Sequence, residues 1–159
     1  MKSRAITVLL VLFCALVNLG AEPKSKFKYD FETPQGAILC LEAAYRSGNM
    51  ERILECKDFR LEAVYLLKHG LKKEEYIQDE EIMNELEETL KLAFMAEIKD
   101  NGIPDFTGIS ENNFGEIKII DETYVVVEEE FTYSDGDKSK QLLVVGKSAK
   151  GWRMVSPKE

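Results

Sequence analysis

The chain has 159 residues, 45% of them hydrophobic, and carries 29 acidic against 21 basic side chains, a net charge of −8 at pH 7. An acidic balance of this size repels nucleic acid and anionic lipid and suits a basic protein partner or plain solubility. Three cysteines and a single histidine supply no recognisable ligand set, so neither a metal nor a cofactor is expected.

The opening stretch MKSRAITVLLVLFCALVNLGAEP has the three parts of a secretory signal: Lys2 and Arg4, an apolar run from Ala5 to Val17, and a small-residue cleavage site at Leu19-Gly20-Ala21. The run is shorter than the roughly 20 apolar residues that a spanning helix needs, so no stable membrane anchor is expected after cleavage. Loss of residues 1–21 removes two bases and no acid, which moves the net charge from −8 to −10. Export is expected, with the periplasm favoured over full secretion. The remainder divides into a charged lead-in, 22–32, and one domain, 33–159.

Thr33-Pro34 gives an N-cap followed by proline at the first helical position. Ala37, Ile38, Leu41, Ala44 and Tyr45 then recur at helical spacing up to Gly48. Asn49 caps a second, short helix. Cys40 and Cys56 stand at equal distances from Gly48, which puts them level in an antiparallel helix pair. With an even cysteine count behind an export signal, a structural disulfide worth roughly 3 kcal/mol is expected between them. Asp58 restarts a helix that Gly70 is expected to stop, with His69 at its C-terminus in a capping or exposed position. Asp79 caps the longest helix, whose Ile82, Leu86, Leu90, Ala93 and Phe94 form an apolar stripe read as core rather than ligand box. Gly102 and Pro104 end it.

After about residue 110 the period changes to two. Ile117 and Ile119 mark one strand, 123–133 a second, KQLLVVGK a third after the SDGD turn, and WRMVS a fourth after Ala149-Lys150-Gly151. Strand alternation places Val125, Val127, Glu129, Phe131 and Tyr133 on one face of VVVEEEFTY. Glu129 therefore stands in an apolar row. Three readings stay open: pairing with Arg153 or Lys140, a bulge that turns it to the wet face, or a place in a functional pocket. Val125 to Val127 and Leu142 to Val145 are apolar on both faces, which implies helices on one side and a second subunit on the other, a homodimer through the sheet.

Helices followed by an antiparallel meander imply an α+β fold, three to four helices packed on a curved sheet. The opening TPQGAILCLEAAYRSGNMERIL and the closing LLVVGKSAKGWRMVSP resemble the nuclear transport factor 2-like superfamily, whose members form a cone with a cavity between sheet and helices. AAYRSGNMERILECKDFRLEA and GIPDF resemble the toxin-immunity branch of that superfamily. The resemblance implies an exported, non-catalytic protein that neutralises a toxin of basic surface by stoichiometric binding. The alternative is a small-molecule binder or isomerase-like enzyme that uses the cavity. For catalysis, Asp58, Asp105, Glu129, Tyr45, Tyr124 and His69 are available, but no spacing selects among them. The candidate cavity or partner-binding residues are Glu129, Phe131, Tyr133, Trp152 and Arg153.

Overall fold

The computed structural model describes residues 28–157; the signal segment and the first part of the lead-in lie outside the described residues. Helix α1 spans Pro34–Ser47 and starts where expected, with Thr33 Oγ1 accepting from the Gly36 amide at 3.0 Å. Gly48, at φ 64°, turns the chain into α2, Met50–Glu55, where Asn49 Oδ1 accepts from the Arg52 amide at 3.1 Å. Asp58 caps α3, Phe59–Tyr65, through the Leu61 amide at 3.0 Å. That helix does not stop at Gly70. It widens into a π turn, Leu66–Leu71, and ends at Lys72 in the left-handed region, φ 56°. After a 3-10 turn, Glu74–Gln78, Asp79 caps α4, Glu80–Asn101.

The strands are β1 Ile109–Ile119, β2 Tyr124–Tyr133, β3 Lys138–Ser148 and β4 Gly151–Pro157, antiparallel and in chain order across one open sheet. The fold is α+β, with the helices before the sheet, as expected. β1 is longer than its apolar residues announce and carries two bulges, between Ile109 and Glu111 and between Phe114 and Ile117. The β2–β3 ladder is regular from Tyr124–Gly146 to Thr132–Lys138, so no bulge turns Glu129 away from its row.

Both sheet faces are covered at the valine-rich end, by different helices. On the inner face, Ala37, Ile38, Leu41 and Ala44 of α1 pack with Val125, Val127, Leu143, Val145 and Met154. On the outer face, Leu61, Val64 and Tyr65 of α3 and its continuation pack on Tyr124, Val126, Val144 and Val155, and Tyr124 Oη donates to the Leu61 carbonyl at 2.9 Å. The apolar outer face at this end is thus covered by α3 of the same chain. Farther along, the outer face is polar: Lys140 pairs with Glu128 at 2.7 Å and Lys138 with Glu130 at 2.9 Å. A third apolar cluster, Ala63, Leu67 and Met83, joins α3 to α4.

Cys40 and Cys56, expected from their spacing to form a disulfide, stand as free thiols in this structure. The helix pair does bring both cysteines into the same buried cluster. Cys40 Sγ is engaged instead with the backbone of Asp30, accepting from its amide at 3.1 Å and donating to its carbonyl at 3.4 Å. Burial, more than any neighbouring charge, pushes the Cys56 thiol up to about 12 and also raises Cys40.

The lead-in is stitched to the last strand: the Trp152 amide donates to the Phe31 carbonyl at 2.8 Å, and the Arg153 guanidinium lies 3.6 Å from the Phe31 ring centroid. The turn that delivers β4 needs glycine. Gly151 has φ 92°, and a Cβ there would sit 2.6 Å from the Phe31 carbonyl oxygen. Gly151→Ala combines left-handed strain with that collision and is expected to lower stability by more than about 1 kcal/mol in urea unfolding.

Candidate functional site

Between α1, α4 and the inner sheet face lies a cavity of about 730 Å³. Its apolar walls come from Ile38 and Leu41 of α1, Leu90, Phe94 and Ile98 of α4, and Leu143 and Met154 of the sheet, with Tyr45 and Phe106 beside them. This size lies within the range of small-molecule sites, which are mostly apolar with a few converging polar groups. Here those groups are acids. Glu129 is 0% exposed and Glu42 only 7%, the two buried charged residues of the core. α1 supplies Glu42 on the same helical face as Ile38 and Leu41, while β2 supplies Glu129 from the row of Val125 and Val127.

Asn112 joins the two carboxyls. Its Nδ2 donates to Glu42 Oε1 at 2.8 Å and to Glu129 Oε1 at 2.7 Å, and Gln141 Nε2 donates to Glu129 Oε2 at 2.6 Å. The register explains the convergence: Glu129 sits opposite Phe114 on β1 and Gln141 on β3, with Asn112 one pair farther along β1, opposite Phe131. Burial, then the hydrogen bond and like charge of Glu129, push the Glu42 carboxyl up to about 8. Glu42 thus keeps its proton at neutral pH, hydrogen-bonded towards Glu129. The Asn112 Oδ1 atom is buried and has no hydrogen-bond partner among the described residues.

A second charged group lines the cavity. Lys57 is 7% exposed at its side chain, and its Nζ lies 2.8 Å from Glu62 Oε2 and donates to the Val155 carbonyl. The Phe94 and Phe59 rings stand 5.1 and 5.6 Å from the same nitrogen. Burial raises the Glu62 pKa against the pull of Lys57. The linker carrying Lys57 is fixed to β4, because the Met154 amide donates to the Cys56 carbonyl at 3.1 Å.

Of the five candidate cavity or partner-binding residues only Glu129 lines the cavity; Tyr45 and Asp105, named among the groups available for catalysis, line it too. Neither Arg153 nor Lys140 is the partner of Glu129: Arg153 Nε donates to the Glu55 carbonyl at 3.1 Å, and Lys140 serves Glu128 and Glu130. Phe131 packs edge-on to Phe106 at 6.1 Å, Tyr133 Oη meets Ser139 Oγ at 3.1 Å, and Trp152 packs against the main core beneath Lys147. Three of the five stripe residues read as core, Leu90, Ala93 and Phe94, also line the cavity.

His69 lies elsewhere, inside the π turn. It pairs with Asp121 Oδ2 at 3.1 Å, which also accepts from Lys68 at 2.8 Å, while Asp121 Oδ1 takes the Thr123 and Tyr124 amides. Burial alone would raise the Asp121 pKa, but these donors outweigh it and hold the carboxyl well below the usual range. The cluster ties the π turn to the β1–β2 turn and borders no part of the cavity. Among the described residues, no group of three or more His, Cys, Asp or Glu is placed to hold a metal ion, and no helix is long and apolar enough to cross a membrane. Set against known proteins, the chain matches no family model, no curated protein and no solved structure.

Proposed function

We propose that this protein binds a small, largely apolar molecule in the cavity between sheet and helices, with the Glu42–Asn112–Glu129 cluster as the polar anchor. One observation carries the reading: two carboxyls are buried side by side in the wall of an apolar cavity, where an apolar core has no need of them. Buried ionisable groups with perturbed pKa values in a concave site are the physical signature of a working site. Capture of a basic toxin has only the acidic surface in its support, whereas the cavity reading rests on specific geometry. Within that cavity no residue is poised as a nucleophile beside a base, so binding is the activity proposed.

The Glu42→Leu/Glu129→Leu double variant tests it. The exchange removes the cost of burying two carboxyls but leaves the Asn112 and Gln141 amides without their acceptors, so the two effects oppose each other in the melting temperature. The folded double variant should lose any small molecule that native mass spectrometry finds retained by the natural protein or taken up from an added mixture. Retained binding would show the pair to be architectural and sink the reading.

A further inference from the structure

The ligand class follows from what the cavity wall has left to offer. Asn112 Nδ2 donates to both carboxyls, Gln141 Nε2 donates to Glu129, and the remaining proton lies between Glu42 and Glu129. The donors of this anchor are thus turned inward. On the cavity side Glu42 and Glu129 offer carboxyl lone pairs, which are acceptors. A ligand group that meets them must bring N–H or O–H bonds.

Charge narrows the choice further. The lining residues include five acids, Glu42, Glu62, Glu97, Asp105 and Glu129, and one base, Lys57, which Glu62 already neutralises. Nearby cations do not redress the balance. Arg46, the closest to Glu42 in effect, donates to the Phe106 carbonyl at 3.0 Å and lies 5.1 Å from the Phe106 ring centroid, outside the lining. Glu97 and Asp105 are exposed and Glu42 is pushed up to about 8, so the buried acid left to repel an anion is Glu129, in a partly dehydrated space where repulsion is poorly screened. A cation would gain from that field and from the π faces of Tyr45, Phe94 and Phe106. Lys57 shows that this environment accepts a buried ammonium: its own lies over the cavity's Phe94 ring and over Phe59 behind it, with a carboxylate beside it.

Resting on the small-molecule reading above, we infer that the natural ligand is an organic cation, an amine with an apolar or aromatic body, whose ammonium is held by Glu42 and Glu129. Binding then carries a proton cost in the literal sense. The incoming positive charge takes the place of the shared proton, which leaves to solvent, so affinity should rise with pH until Glu42 ionises by itself.

The experiment is calorimetric titration of the purified protein with three molecules of one shape: naphthylmethylamine, naphthylmethanol and naphthoate. At pH 7 the amine should bind at least about tenfold more tightly than the alcohol, and naphthoate not measurably. Repeating the amine titration in two buffers of different ionisation enthalpy should show release of close to one proton. Its affinity should rise by up to about tenfold per unit between pH 6 and 8. Alcohol or naphthoate binding as tightly as amine, or amine binding without proton release, would overturn the cation assignment while the cavity reading stands. Failure of all three to bind would bring both down.

Discussion

Lys57→Met should lower the unfolding free energy by about 3–5 kcal/mol, the largest effect expected of any single exchange in the cavity wall. The reason lies with what remains. Glu62 is mostly buried, its side chain 17% exposed, and Lys57 is its ion-pair partner. Removing the ammonium strands a carboxylate in an apolar wall, and it also frees the Val155 carbonyl that Lys57 satisfies. Lys57→Met/Glu62→Leu removes both charges and should recover most of the loss, since dehydrating an ion pair offsets much of its mutual attraction. Urea unfolding of the two single variants and the double variant gives the coupling directly. Equal losses in Lys57→Met and in the double variant would show that the lysine acts through its aliphatic stem on Phe59 and Phe94 rather than through its charge.

The second large effect is on pH dependence. Glu42 has an ordinary pKa of 4.5 and is pushed up to about 8 in the fold. Between these values the folded chain keeps a proton that the unfolded chain has released. Stability therefore falls as pH rises across this window, by up to about 1.4 kcal/mol per unit. Below it the contribution is fully present, and above about pH 8 it is gone. Glu62, also raised, adds to the same slope. Asp121, Asp105 and Glu130 are shifted the other way, so their stabilising contribution is lost only on going to more acid solution, outside this window. Glu42→Gln should flatten the slope between pH 5 and 8 while Asp121→Asn should leave it standing. Thermal melts at half-unit steps check both, and a flat profile in the natural protein would mean that Glu42 ionises normally.

Helix starts were plainly readable because they rest on local chemistry: Thr33, Asn49, Asp58 and Asp79 each cap the helix that follows them. Strand order was readable for the same reason, since the turns at Ser134 to Asp137 and at Gly151 are short. The oddity of Glu129 was visible as a charge in an apolar row, but its partners were not. Asn112 belongs to the half of β1 that reads ISENNFGE, where bulges and polar residues erase the alternation that announces a strand. Glu42 was hidden by its setting in α1, since a glutamate in a helix is ordinarily a solvated one. Pairing across 70 residues between Asn112 and Glu42 leaves no trace in local pattern. The π turn escaped for a related cause: Gly70 is a fair helix stop, and the Asp121 contacts to Lys68 and His69 that tie down the wider turn come from about 50 residues away.

The edges of the sheet also bear on how crowded solutions of this protein behave. β4 is not a bare edge, because the linker through Cys56 and Lys57 runs beside Met154 and satisfies part of its backbone. β1, at the other side, is interrupted by its two bulges and carries Glu111, Glu116 and Lys118. Irregular, charged edges offer a poor template for strand addition from a neighbour. Ile119, 80% exposed at the end of β1, sits next to that charge and beyond the second bulge. The chain should accordingly resist fibril growth at high concentration, and straightening β1 by deleting Gly115 would be the change most apt to start it.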